Sequence, residues 1–272
     1  MSSISATSTA STVPPQARPW IPRGLLTLVR TEAALFTRDI GALFFAVAFP
    51  SILLVGMGFA IPGLREPVEG MGPALDGLLV IHIFAPIILS TAIATVGLTT
   101  LPSYLASYRE QGIFRRLAVT PMRPGGVLYA HLVISVICLI VAVALALGLG
   151  ALVHDVPMPQ RPLLVALAFI LGAGAILGLG LVIGGLASKA SSASGIGMLI
   201  YFPMLFFAGL WTPGPLMPDT LATISTFTPL GAASQAMSTA WFGEGVPLLQ
   251  LLVMAGYTVV LFTVASRVFK WS

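Results

Sequence analysis

The sequence predicts an all-α protein that crosses a membrane six times, and three observations carry that prediction. Composition is the first: 57% of the 272 residues are hydrophobic and 8% are charged, against about 25% charged in an ordinary soluble domain. Mean hydropathy is +1.01. The second is the length of the uncharged stretches, which run from Ile40 to Leu64, Gly77 to Tyr108, Pro124 to Val153, Pro162 to Ser188, Ala190 to Pro218 and Gly245 to Ser266. Each is at least as long as the roughly 20 residues that a helix needs to cross a hydrocarbon core of about 30 Å. The third is periodicity: a closed barrel would show segments of about ten residues alternating in and out, and these apolar runs do not alternate.

Residues 1–19 are rich in Ser, Thr, Ala and Pro and hold no apolar run, so they read as a disordered tail, neither a cleaved signal nor a span. Residues 20–272 then form one transmembrane domain. Within 22–38, Leu25, Leu26, Val29, Ala33 and Phe36 fall on one side at helical spacing, with Arg23, Arg30, Glu32 and Arg38 largely elsewhere. That pattern predicts an amphipathic helix lying along the membrane interface. Spans follow at about 42–61, 79–105, 127–152, 163–187, 194–211 and 247–266. Trp211 suits the interface at the end of the fifth, and Pro213, Pro215 and Pro218 prevent its continuation. Residues 219–243 are also uncharged apart from Asp219, but Pro229 divides them into pieces too short to cross. They are expected to form a short re-entrant helical hairpin on the outer side rather than a seventh span.

Charge sets the orientation. Eleven of the thirteen basic residues fall on one side of this topology, leaving Arg65 and Arg161 on the other together with six of the nine acids. Basic residues mark the cytoplasmic side, so both termini and the loop at 108–124 are expected there, in a multi-pass protein of the plasma membrane.

The spans also exclude functions. No Asp, Glu, Lys or Arg lies in the core of any predicted span, where a pump, proton relay or voltage sensor would keep one. His82 and His154 belong near the outer side and His131 near the cytoplasm, so the three cannot share a metal. Cys138 is the only cysteine, which excludes a disulfide framework and a thiolate metal site. Neither a Ser/His/Asp set nor a His-Glu-x-x-His helix occurs, so no catalytic residue is assigned. The two lysines follow Ser188 and Phe269, so the Gly-Lys-Ser/Thr core of a phosphate-cradling loop is absent. Nothing points to nucleic acid.

The loop after the second span reads "YREQGIFRRLAVTPMRPGG". Ile113, Phe114 and Leu117 form an apolar patch, surrounded by Arg109, Glu110, Arg115 and Arg116, and Pro121, Pro124 and two glycines stop the helix. A basic loop that fixes topology and touches lipid headgroups would account for the charge. The order of residues says more. Glu110, Gly112, Leu117, Thr120 and Pro121 form a Glu-x-Gly-x-x-x-x-Leu-x-x-Thr-Pro pattern that resembles the signature of type-2 ATP-binding-cassette exporter permeases. The amphipathic N-terminal helix, the six spans and "TPLGAASQAM" before the last one extend the resemblance over most of the chain.

The resemblance implies that residues 108–121 form a coupling helix seated on a separate ATPase. Arg109, Glu110, Arg115 and Arg116 would supply polar contacts and Phe114 and Leu117 apolar ones. It further implies two permeases, identical or similar, with two ATPase copies that hold ATP and magnesium, and no cofactor in this chain. A path lined by the second and fifth spans would carry a hydrophobic or amphipathic compound such as a drug, antibiotic or lipid-like molecule, as in the antibiotic and multidrug branch. Alternatives are export of a cell-wall polysaccharide or glycolipid, or ion-coupled transport without an ATPase. On that path Thr91, Thr95 and Thr99 recur every fourth residue and share a helix face, which also fits helix packing. Tyr201, Phe202, Met204, Phe206 and Phe207 offer an aromatic and thioether surface that suits a greasy substrate or, equally, lipid. Gly174, Gly178, Gly184 and Gly185 in the fourth span permit close helix approach.

Overall fold

A computed structural model describes residues 22–70, 74–118, 125–243 and 245–268. The expectations for residues 1–19 and for Thr120 and Pro121 lie outside the described residues. Among the described residues the protein is helical and contains no strand. Six helices are long and apolar enough to cross a membrane. After α1 (Pro22–Phe36) come α2 (Ile40–Ala60), α3 (Val80–Glu110), the short α4 (Ile113–Ala118), α5 (Gly125–His154) and α6 (Pro162–Leu186). Next are α7 (Ala190–Ala208), two short helices α8 (Asp219–Thr226) and α9 (Pro229–Phe242), and finally α10 (Leu248–Val268).

α3 forms the centre of the bundle. In its most apolar stretch 94% of residues are buried, against 11% in α10, and it packs on α2, α5, α6, α7 and α9. Two glycines make that packing possible. A Cβ on Gly180 would strike the Gly97 carbonyl and one on Gly197 the Leu98 carbonyl, so α6 and α7 approach the α3 backbone itself. The glycine series of the fourth span therefore serves two neighbours, because Gly174 and Gly178 face Thr258, Leu261 and Phe262 of α10, whereas Gly184 faces Pro102 and Leu105 of α3.

The α8–α9 pair divides at Pro229, as expected from its sequence. Thr228 caps α9 by accepting from the Gly231 N–H at 3.2 Å. With 14 residues, α9 is about 21 Å long, short of a hydrocarbon crossing of about 30 Å. It is nonetheless deep in the protein: Leu230, Ala232, Ala233, Ala236 and Met237 are fully buried. Ser225 and Ser234 donate to the carbonyls of Phe207 and Ala208, which the end of α7 leaves unpaired.

The structure revises two local readings. α7 begins at Ala190 rather than near 194 and ends at Ala208 rather than Trp211. Gly209 stops it in a left-handed conformation at φ 92°, and its start is capped by a side chain from the end of α3, described below. In α1 the buried stripe includes Glu32 and Phe36, with Leu28 half-buried, while Leu26 is 53% exposed. Glu32 therefore faces the bundle, not the polar side assigned from the sequence. Its partners are Tyr108 and His131, from parts of the chain far away in sequence.

Candidate functional site

A cavity of about 630 Å³ lies among α2, α3 and α7, within the range of about 300–1,000 Å³ common for drug-sized ligands. Phe45, Phe49 and Leu53 of α2 form one wall. Met198, Tyr201, Phe202 and Leu205 of α7 form another; they follow the i, i+3, i+4, i+7 spacing of a single helix face. The α3 side carries Thr91, Thr95, Thr99, Thr100 and Ser103. Leu210 and Trp211 line one end, and Asp39, Tyr104, Ser107 and Ala190 line the other.

Both helices that break the regular ladder do so here. α2 contains a π-helical turn at Phe44–Ala48 and α3 another at Thr95–Thr100. Such a turn inserts an extra residue and re-aims the side chains after it, a feature common at functional sites. In α3 it brings Thr100 to the cavity beside Thr99. The hydroxyls are satisfied along the helix. Thr91 donates to the Ile87 carbonyl at 3.0 Å, Thr95 to Thr91 at 2.8 Å and Thr99 to Thr95 at 2.5 Å. Thr95 also meets the Tyr201 hydroxyl across the helix interface at 3.0 Å. The threonine stripe thus packs helices and lines the cavity at once.

Of the path residues expected from sequence, the structure brings Thr91, Thr95, Thr99, Tyr201 and Phe202 together. Met204 and Phe206 lie off that face: Met204 packs half-buried against the main core, and Phe206 stands edge-on to Phe207 with centroids 5.6 Å apart. Sequence reasoning missed Asp39. Its Oδ1 accepts from the Ala42 N–H at 3.0 Å and its Oδ2 from the Tyr104 hydroxyl at 2.8 Å. These hydrogen bonds, the Ala42 one foremost, hold its carboxyl below the ordinary 3.8. An Asp immediately before an apolar run is readable as a helix cap, and that is the signal that was available.

The loop after α3 is built from the same materials that its sequence displays, used differently. Gly112 sits at φ 67°, a conformation costly to residues with a Cβ, and it turns the chain from α3 into α4. Glu110 Oε2 accepts from the Ala190 N–H at 3.1 Å, capping the start of α7. Arg109 Nη1 donates to the carbonyls of Gly185 at 2.5 Å and Ala187 at 3.0 Å, and more distantly to Gly184 at 3.3 Å. These are carbonyls released at the end of α6. The two residues thus join the loop to the α6–α7 corner of their own chain. Phe114 is buried near the Tyr108 ring, with centroids 6.3 Å apart, and Arg116 is exposed. The side chains of Arg115 and Leu117 lie outside the described residues.

A second polar cluster lies beside this loop. Tyr108 donates a short hydrogen bond to Glu32, and His131 Nε2 stands 3.6 Å from the same carboxylate, too far for a hydrogen bond. Tyr104 stacks on His131 with centroids 5.6 Å apart. Burial raises the Glu32 pKa above its ordinary value, opposed by the Tyr108 hydrogen bond. At the other end of the bundle, His82 Nε2 pairs with the His154 carbonyl at 2.8 Å and His154 Nε2 with the Val55 carbonyl at 3.1 Å. Those two histidines join helix ends.

Six helices able to cross a membrane, three of them walling a ligand-sized cavity, describe a multi-pass membrane protein. Residues 67–267 match the family described as ABC-2 family transporter protein, and the chain belongs to that family. It is also 25% identical over 143 residues to the Bacillus subtilis (strain 168) protein named "Putative transport permease YvfS". That similarity covers 52% of this chain and 56% of the relative, so the chain spans little more than half the length of the protein it matches. Membership places the chain among the membrane-spanning proteins of that transporter family.

Proposed function

We propose that this chain is the membrane permease of an ATP-driven exporter that moves a hydrophobic or amphipathic compound out of the cytoplasm or the inner leaflet. A separate ATPase, in two copies with ATP and magnesium, powers two permeases by closing and pushing on α4. The loop and both termini face the cytoplasm of the plasma membrane, α1 lies along the inner interface and the α8–α9 hairpin re-enters from the outer side. Drug or antibiotic efflux is the favoured activity within this class.

The observation that carries the proposal is the bond pattern of Arg109 and Glu110. They attach the end of α3, from which the chain turns at Gly112 into α4, to the ends of α6 and α7, and α3 and α7 wall the cavity. A displacement of α4 is therefore delivered to the cavity walls. Arg116, exposed on α4, is a polar contact open to the ATPase, so docking and transmission fall to different residues. ATP shifts the permease between conformations only through contacts that differ between them.

The test separates those two roles. In the complex co-purified with its ATPase, Arg116→Glu is expected to reduce association. Glu110→Ala is expected to leave association intact and lower substrate-stimulated ATP hydrolysis. If neither variant changes either quantity, the coupling assignment is lost. Gradient-driven transport by the purified chain alone in liposomes would establish the ion-coupled alternative instead.

A further inference from the structure

The cavity has an uneven distribution of charge. Its walls are aromatic and aliphatic side chains with hydroxyls turned back onto their own helix, and among the described residues no Lys or Arg lines it. One lining residue is ionisable to a full charge at neutral pH: Asp39. Thr91 toward one end and Ser107 toward the end with Asp39 are sixteen residues apart on α3, so the cavity runs about 24 Å along that helix. It is therefore a long greasy chamber with a carboxylate at one end.

Three properties make that carboxylate available as a binding group. Its two hydrogen bonds, from Ala42 and Tyr104, leave lone pairs unused, since an ionised carboxylate offers about four acceptor positions. Those bonds also favour its ionised form. The rings of Phe45, Tyr104 and Tyr201 stand on the cavity wall, where their faces attract cations and weakly hydrated organic groups. A lipophilic anion would meet the carboxylate with no lining base to compensate, so the same arrangement rejects the opposite charge.

We propose that the cavity selects amphipathic organic cations, with Asp39 as the counter-charge for the cationic centre and the α2 and α7 aromatics as the seat for its apolar body. This rests on the reading of the cavity as the substrate path. It adds the charge class of the substrate, which the family does not fix.

Tetraphenylphosphonium and tetraphenylborate, nearly equal in size and opposite in charge, test it on the permease–ATPase complex, read by equilibrium binding and by stimulation of ATP hydrolysis. The wild type is expected to bind the cation at least about tenfold more tightly than the anion, as for a charge-assisted contact. Asp39→Asn should lose most of that preference while its amide oxygen keeps the cap on Ala42 and its amide nitrogen, a donor, takes the place of the oxygen that faces the Tyr104 hydroxyl. Asp39→Glu should retain it. An unchanged preference in Asp39→Asn, or a wild type that favours the anion, overturns the proposal.

Thr99→Trp, which places a large ring in the chamber, separates this from the reading beneath it. If Thr99→Trp abolishes stimulation by both ions but Asp39→Asn changes nothing, the path stands and the charge selection falls. If Thr99→Trp leaves stimulation by the cation at the wild-type level, the cavity is not the path and both fall. Cross-linking of Phe202→Cys between two permease copies, unslowed by the cation, would assign the opening to a second copy and also overturn the proposal.

Discussion

The loop after α3 and the hairpin before α10 both interrupt the series of crossings at a helix-breaking residue, Gly112 in one and Pro229 in the other. They are held by opposite means. α9 is embedded among α3, α6, α7 and α10 by small and apolar side chains that are fully buried. α4 contacts the bundle through Phe114, and the end of α3 that carries it is tied to the α6–α7 corner by the polar bonds of Arg109 and Glu110. A wall built by close packing resists displacement because interiors are dense and stiff. A joint made from a few charge-assisted hydrogen bonds transmits a push and can be rearranged. The difference separates a frame from a lever.

The comparison breaks first if the hairpin is not a frame. Trp241 is fully buried in α9 and donates from Nε1 to the Pro157 carbonyl at 2.9 Å. Trp241→Ala removes both a large packed ring and that bond, at an expected cost of about 3–5 kcal/mol. Chemical or thermal unfolding in detergent measures it, and a wild-type midpoint would show that α9 contributes little to the frame.

Arg109 comes next. Arg109→Ala leaves the Gly185 and Ala187 carbonyls without the donor they have now, at an expected cost of about 1–3 kcal/mol. The sharper readout is functional: transport should fall more than the unfolding midpoint does, because the lever and not the frame is cut. Equal losses for Arg109→Ala and Trp241→Ala in both assays would erase the distinction.

These contacts also mark where the sequence is legible and where it is not. Hydropathy and length locate six crossings, because the cost of exposing a polar backbone or a charge to hydrocarbon is written into every residue of a span. The break at Pro229 is legible for a similar reason, since proline acts on its own helix. The burial of Glu32 is not: its partners Tyr108 and His131 are about 76 and 99 positions away, and a helical wheel of α1 contains neither. The early start of α7 is likewise hidden, because Glu110, the side chain that caps it, stands at the end of α3, eighty positions earlier. Glu110 and Arg109 were legible as important through the order of the loop's residues, while their attachment to the α6–α7 corner depends on the fold.

Glu110 offers a smaller effect with a cleaner control. Glu110→Ala removes the acceptor from the Ala190 N–H, worth about 1 kcal/mol for a typical helix cap, whereas Glu110→Gln keeps an oxygen in place. If capping is its role, Gln restores coupling measured as substrate-stimulated ATP hydrolysis and Ala does not. Failure of Gln where Asp succeeds would assign the role to charge instead.

The smallest expected effect concerns α1, which is fastened to the lever's base through Glu32. Burial is the main cause of its raised pKa, set against the Tyr108 hydrogen bond, with 4.5 as its ordinary value. A carboxyl whose folded pKa exceeds the unfolded one stabilises the fold fully below 4.5, and that contribution is lost as pH rises through the folded value. The docking of α1 should therefore weaken with rising pH in that window. His131, Tyr104 and Tyr108 are the other ionisable groups at this contact, so the assignment needs a variant. Glu32→Gln, uncharged throughout, should flatten the pH dependence of the melting temperature in detergent and raise it on the alkaline side. A slope that persists unchanged in Glu32→Gln would show that Glu32 is not its source and leave α1 attached by packing.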